Sequence, residues 1–216
     1  MNVADRCVIA TDSDEVADAA RDGGAEAVLT SAKHPSGTDR IAEVARRKEF
    51  ASFDAIVNVQ GDEPFIPADA VRGALNMLGS AFQIGTAAVQ ASPAILGEPS
   101  VVKVVTADDG RALYFSRAPI PFLRETKDTE DARTLRDRVW QHVGVYAYRR
   151  DALARWVDLP VHPLERIERL EQLRPLAAGF PIGVALIAGP LRRGIDTEGD
   201  LAQANTEWTI FSGEPA

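Results

Sequence analysis

Residues 56–67 read IVNVQGDEPFIP. An apolar run stops at Gln60-Gly61, and two acids and a proline follow at once. The run predicts a buried strand over 55–59. The segment PADAVRGALNML, 67–78, opens on a proline, carries Asp69 in its first turn and has helical periodicity, so a helix is expected there. A strand that feeds a helix is the unit of an α/β fold, and open α/β sheets bind ligands beyond the carboxyl ends of their strands. Gln60, Gly61 and Asp62 stand at such an end. Gly61 lets a ligand approach the backbone closely. Asp62 is expected at the rim of an apolar core, partly desolvated, where an unpaired charge is costly. Magnesium would relieve that cost, because it takes one or two carboxylates plus substrate phosphates. The competing reading makes Asp62 a cap for the helix at 67–78.

Outward from this stretch the alternation continues. CVIAT (7–11) and EAVLT (26–30) read as strands. Between them DSDEVADAARDGG has a capping Asp12 or Ser13 and a closing Gly23-Gly24, the two ends of a helix. Residues 31–39 form a polar loop, and 39–50 have a helical apolar face. This βα alternation predicts a mostly parallel sheet with helices on both faces. After residue 85 the pattern becomes β-rich, with a turn at TADDGRA, which predicts a smaller antiparallel part. The charged stretch 124–137 is expected to be a loop or short helix, and mobile. VGVYAYRR (143–150) returns to strand, and DALARWVDL is a helix. PLERIERLEQLRPLAAG (163–179) reads as one longer helix. IGVALIAG (182–189) is a last strand, and 196–210 a last helix capped by Asp196 or Thr197.

Composition bounds the function. The 216 residues suit a single domain over 1–216, long enough to bury a core. Net charge is −8, from 24 basic and 32 acidic residues, which disfavours nucleic acid as a partner. The lone Cys7 permits no internal disulfide and is expected to be a small buried hydrophobe, and a reducing cytoplasm fits. No stretch approaches the ~20 apolar residues of a membrane span, and no signal peptide is visible.

Four further clusters carry chemistry. Ser36-Gly37-Thr38, before a helix, offers hydroxyls and backbone N–H groups that hold anions or base edges, or that simply cap the helix. Arg40 adds a permanent fork of donors. Arg117, in YFSRAPIP, is placed to meet a carboxylate bidentately. His142 and Tyr146 are four apart on a strand, hence on one face. Glu165, Glu168 and Gln172 fall on one face of the expected helix, either as a site or as a solvated surface, and Glu171 lies nearer its apolar stripe. Asp196, in RRGIDTEGDL, is a second acid for a metal or an N-cap.

The ordered segments HPSGTDRIAEV, IVNVQGDEPFIP, VVKVV, ALYFSRAPIP, HVGVYAYRR, PLERIERLEQLR and GIDTEGDL resemble the 3-deoxy-manno-octulosonate (Kdo) cytidylyltransferases, from about Cys7 to Gln203. The resemblance implies a nucleotide-diphospho-sugar transferase fold, a Rossmann-like three-layer sandwich, and a homodimer. It implies an enzyme that transfers CMP from CTP to Kdo for lipopolysaccharide biosynthesis, releasing diphosphate. It implies Mg²⁺ on Asp62 and Asp196, cytidine nucleotide beside Ser36, Gly37, Thr38, Arg40 and Gln60, and Kdo beside Arg117, His142, Tyr146, Glu165 and Gln172. Family members open with a further strand and a loop of the type R-x-x-S-x-R-x-P-G-K, followed by a helix. Here the first strand-loop-helix unit is missing, so the expectation is a longer natural protein or a truncated chain. His162 stands where the family usually has Ser. The alternatives are a cytidylyltransferase for a related acid sugar, such as 8-amino-Kdo or a sialic acid, and a non-catalytic dimerising or nucleotide-sensing protein.

Overall fold

The structure is a computed structural model that describes residues 3–122, 124, 138–189, 191, 194–195 and 197–212, the last four of these by their backbone only. Most of the expected stretch 124–137, and Asp196, lie outside the described residues.

The chain begins with β1 (Val8–Thr11), α1 (Asp14–Asp22) and β2 (Glu26–Leu29), and β1 and β2 form a parallel pair of their own. Ser13, rather than Asp12, caps α1 by accepting the Val16 N–H, and Gly23 closes it. Helix α2 (Gly37–Arg46) and the turn after it cover one face of this pair, Val44 and Phe50 packing with Val28. The other face leaves Ile9 and Leu29 exposed. Cys7 is also exposed, contrary to its expected burial, because the strand begins one residue later.

The remaining strands form one six-stranded sheet. They are β3 (Ala55–Val59), β4 (Ile84–Gln90), β5 (Lys103–Thr106), β6 (Ala112–Ser116), β7 (Trp140–Arg149) and β8 (Ile182–Ile187). Strand β8 pairs parallel with β4, and β3 shares their direction because both β3 and β4 pair antiparallel with β7. A mostly parallel sheet therefore needs correction in its ladders. The long β7 is inserted between β3 and β4 and reverses the pairing on both of its sides. The antiparallel part expected after residue 85 is real: β5 pairs antiparallel with β6 and with the start of β7. The β5–β6 hairpin turns on TADDGRA, with Gly110 at φ 82°.

Strand β7 shows why the fold has three layers. Its residues alternate, Val143, Val145 and Ala147 to one face and Tyr146 and Tyr148 to the other. The aliphatic face packs under α3 (Ala68–Asn76) through Ala70, Val71 and Ala74. Close approach of α3 depends on Gly85 in β4, where a Cβ would lie 2.0 Å from the Ala74 carbonyl oxygen. The aromatic face packs on Leu153 and Trp156 of α4 (Arg150–Val157) and on Leu173. Tyr146 and Tyr148 stack at 6.0 Å and each meets Trp156 edge-on.

One helix was expected over 163–179, but two are found: α5 (Pro163–Glu168) and α6 (Leu173–Ala177). Arg169 adopts the left-handed conformation, φ 52° and ψ 48°, and breaks the run. The corner keeps Leu170 and Leu173 buried. The carboxylates of 165, 168 and 171 go to three different partners. The last helix is α7 (Glu198–Ser212).

Candidate active site

The two acidic motifs meet. Ile195 N–H donates to the Asp62 carbonyl at 2.7 Å, which seats GIDTEGDL against QGDEP across more than a hundred residues of sequence. Gly194 is needed for that approach, since a Cβ there would fall 2.9 Å from the Asp62 oxygen and 3.1 Å from the Glu63 carboxylate. The capping reading of Asp62 falls away. Helix α3 takes Pro67 as its N-cap with no side-chain cap bond. At α7 the cap is Thr197: its hydroxyl accepts from Asp200 N–H at 3.1 Å, and the Asp200 carboxylate accepts from Thr197 N–H at 2.9 Å. Asp62 is exposed, so the expected desolvation of its carboxylate is corrected. The chain leaves the sheet at Val59, and the turn over 60–63 carries the side chain out of the apolar layer.

The Ser36 loop closes on the opposite wall. Ser36 caps α2 by accepting the Asp39 N–H at 3.2 Å. Its hydroxyl lies 2.8 Å from one oxygen of Glu171, and the buried Thr38 hydroxyl donates to the other at 3.0 Å. Burial raises the pKa of Glu171, against the two hydroxyls, which lower it. Arg40 is turned toward the carboxyl ends of β1 and β2, donating to Thr30 Oγ1 at 2.6 Å and pairing with Asp12 at 3.0 Å. Gln60 is exposed just past β3.

Two of the residues expected beside the sugar, His142 and Tyr146, lie on the aromatic face of β7. His142 and Tyr146 share that face as their spacing predicts, 5.4 Å apart, with Phe115 edge-on to His142 at 5.1 Å. Burial lowers the His142 pKa to about 3, so the ring is neutral, and its Nε2 lies 2.9 Å from the buried Thr86 hydroxyl. The Tyr146 hydroxyl beside Thr86, and the Tyr148 hydroxyl beside Thr38 and Asn58, are buried with no hydrogen bond of good geometry. Buried hydroxyls without partners are uncommon.

Among the described residues no carboxylate meets the Arg117 guanidinium. Nε donates to the Glu168 carbonyl at 2.9 Å, and Nη1 lies 2.9 Å from the Pro99 carbonyl and 3.4 Å from that of Ser100. Among the described residues these bonds leave Nη2 without a partner. The Glu168 carboxylate instead takes the Ser116 hydroxyl at 2.6 Å and the Arg117 N–H at 2.9 Å. Glu165 is occupied as well: both its oxygens accept from Arg174, at 2.8 and 2.6 Å, in a pair only 14% and 6% exposed. Gln172 is buried at the start of α6. His162 caps α5, its Nδ1 accepting the Leu164 N–H at 3.2 Å, so the position has a structural use.

Sequence reasoning missed Glu171, Thr86 and Asn58. Glu171 stood beside an apolar stripe, and a carboxylate there is the only signal the sequence offers. Thr86 and Asn58 are single polar residues inside apolar strands, which is a weak signal. Among the described residues no group of three acids, histidines or cysteines could hold a metal ion. No helix among them is long and apolar enough to cross a membrane.

The structure aligns with that of CMP:2-keto-3-deoxy-manno-octonic acid synthetase complexed with CTP, at a TM-score of 0.83 and 36% identity, over 97% of this chain and 82% of that one. It shares its fold at lower similarity, TM-score 0.62 and 14% identity, with the inositol-1-phosphate CTP transferase of T. maritima. The architecture is thus the mixed α/β sandwich of the nucleotide-diphospho-sugar transferases. In sequence, residues 1–184 match the Cytidylyltransferase family. The chain is 58% identical to the 3-deoxy-manno-octulosonate cytidylyltransferase of Gemmatimonas aurantiaca over 98% of its own length and 81% of that protein, and 43% identical to that of Acinetobacter baumannii (strain ATCC 17978) over 93% and 80%. It belongs to the 3-deoxy-manno-octulosonate cytidylyltransferase family.

Proposed function

We propose that the protein transfers the CMP moiety of CTP to Kdo, giving CMP-Kdo and diphosphate. The observation that carries the site assignment is the 2.7 Å bond from Ile195 to Asp62, which draws the two acidic motifs together at the end of β3. The anomeric hydroxyl of Kdo attacks the α-phosphorus, a P–O bond forms, and the bond to diphosphate breaks. Such a step requires positioning and charge neutralisation more than covalent help from the protein.

The residues suit a magnesium ion. Asp62 is an exposed carboxylate beyond the strand end, and the segment bearing Asp196 is bonded to its backbone. Two acids plus phosphate oxygens form a site of the kind this ion takes. When bound, it would neutralise phosphate charge and lower the pKa of a coordinated hydroxyl. The chain's own residues divide the remaining work. Ser36, Gly37, Thr38, Arg40 and Gln60 border the nucleotide. The unused Nη2 of Arg117 takes the sugar carboxylate, while His142, Tyr146 and Gln172 line the sugar. Glu165, held by Arg174, supports that wall instead of contacting the sugar. Working as a cytoplasmic homodimer is part of the same reading.

The test is release of diphosphate and formation of CMP-Kdo from CTP, Kdo and Mg²⁺ by the purified protein, with 8-amino-Kdo and a sialic acid compared as acceptors. No diphosphate with any acceptor rejects the assignment, and a preference for another acid sugar corrects the substrate. Within the same assay, Gly194→Ala is expected to lower turnover about 10- to 100-fold by forcing the 194–195 backbone off Asp62.

A further inference from the structure

The stretch VVKVV, 101–105, has no role in the reading above. Its Lys103 is fully buried in β5. The ammonium has three N–H donors, and all are used: Nζ donates to the carbonyls of Glu98 at 2.9 Å, Val101 at 2.8 Å and Arg117 at 2.6 Å. A buried charge is expensive unless hydrogen-bonded, and here backbone dipoles solvate it without neutralising it. Burial, and then the nearby charge of Arg117, lower its pKa, while Glu168 and Glu98 act in the opposite direction.

Two of those carbonyls, Glu98 and Val101, bracket a short loop. The loop's intervening carbonyls, Pro99 and Ser100, are the acceptors for Arg117 Nη1. The third carbonyl belongs to Arg117 itself. Lys103 therefore fixes both the loop that holds the guanidinium and the backbone from which it extends. With Nε also tied to Glu168, Nη2 is the edge that has no partner among the described residues. Two cations stand here with the Glu168 carboxylate, which is taken up by Ser116 and the Arg117 backbone.

We propose that Lys103 is a positioning residue for the acid sugar: it gathers the 98–101 loop around its ammonium and aims Arg117 at the sugar carboxylate. This rests on Arg117 being the carboxylate ligand. The experiment is steady-state kinetics of Lys103→Met, Arg117→Ala and the double variant. Lys103→Met is expected to raise the KM for Kdo about 10- to 30-fold, with kcat and the KM for CTP within about twofold. The double variant should show a Kdo KM no higher than Arg117→Ala alone, because the lysine acts through the arginine. A parallel loss for both substrates, or additive effects, overturns the proposal. If Arg117→Ala leaves the Kdo KM unchanged, the carboxylate reading itself fails and the proposal with it. Should Lys103→Met not fold, nitrogen-15 NMR of the lysine ammonium in the unaltered protein decides: addition of Kdo alone shifts the Lys103 resonance and CTP alone does not. An unmoved resonance overturns the proposal.

Discussion

Asp62→Asn is expected to lower CMP transfer roughly 10³-fold while leaving the melting temperature within about 2 °C of the parent. The substitution keeps size and hydrogen bonding and removes one negative charge. If that charge holds a divalent cation against the CTP phosphates, its loss acts on the chemical step. Two structural observations set the stability half of the expectation. Asp62 is exposed, and α3 begins at Pro67 with no side-chain cap, so the carboxylate supports no helix. The bond from Ile195 uses the Asp62 backbone carbonyl, which the substitution leaves in place. Turnover in several Mg²⁺ concentrations, read beside thermal unfolding, makes the measurement. A large fall in melting temperature with turnover retained would return Asp62 to a structural role.

Glu165→Ala is expected to do the opposite, costing about 3–5 kcal/mol of stability with a near-normal KM for Kdo in the protein that remains folded. The reason is Arg174. Its guanidinium is buried and its two bonds to Glu165, at 2.8 and 2.6 Å, are charge-assisted and bidentate. Removing the acid leaves a cation that burial cannot tolerate. For a chain of this size the loss corresponds to a fall in melting temperature on the order of 10 °C. Replacing both partners, Glu165→Ala with Arg174→Met, should recover most of it, since the penalty comes from the unpaired charge rather than from the pair. Thermal unfolding of the two variants checks this. An unchanged melting temperature with a raised Kdo KM would put Glu165 back against the sugar, where the family resemblance placed it.

These two acids show where sequence reading succeeds and where it stops. The place of Asp62 just past a strand end was legible because its neighbours in sequence fix it there, while its exposure was not. Glu165 was grouped with Glu168 and Gln172 on one helix face, and that face does not exist. Arg169 turns left-handed, the helix breaks, and the three carboxylates at 165, 168 and 171 go to Arg174, to Ser116 with Arg117, and to Ser36 with Thr38. Glu171 is the instructive miss. Its carboxylate joins the Ser36–Thr38 segment to the corner between α5 and α6, and only the tertiary structure shows those two bonds.

By itself the sequence determined the order of strands and helices apart from the break at Arg169, the turn at TADDGRA, the pair Asp12 or Ser13 from which the cap of α1 comes, the shared face of His142 and Tyr146, and through seven ordered motifs the family. All of these rest on interactions within a few residues, or on the 2.0 and 3.6 periodicities, which a linear text records directly. The tertiary structure alone decided that β7 lies between β3 and β4 and reverses their ladders, that Arg117 is held by carbonyls with one edge free, and that GIDTEGDL closes on QGDEP. Those outcomes depend on which distant surfaces bury each other most completely, and no local pattern carries that information.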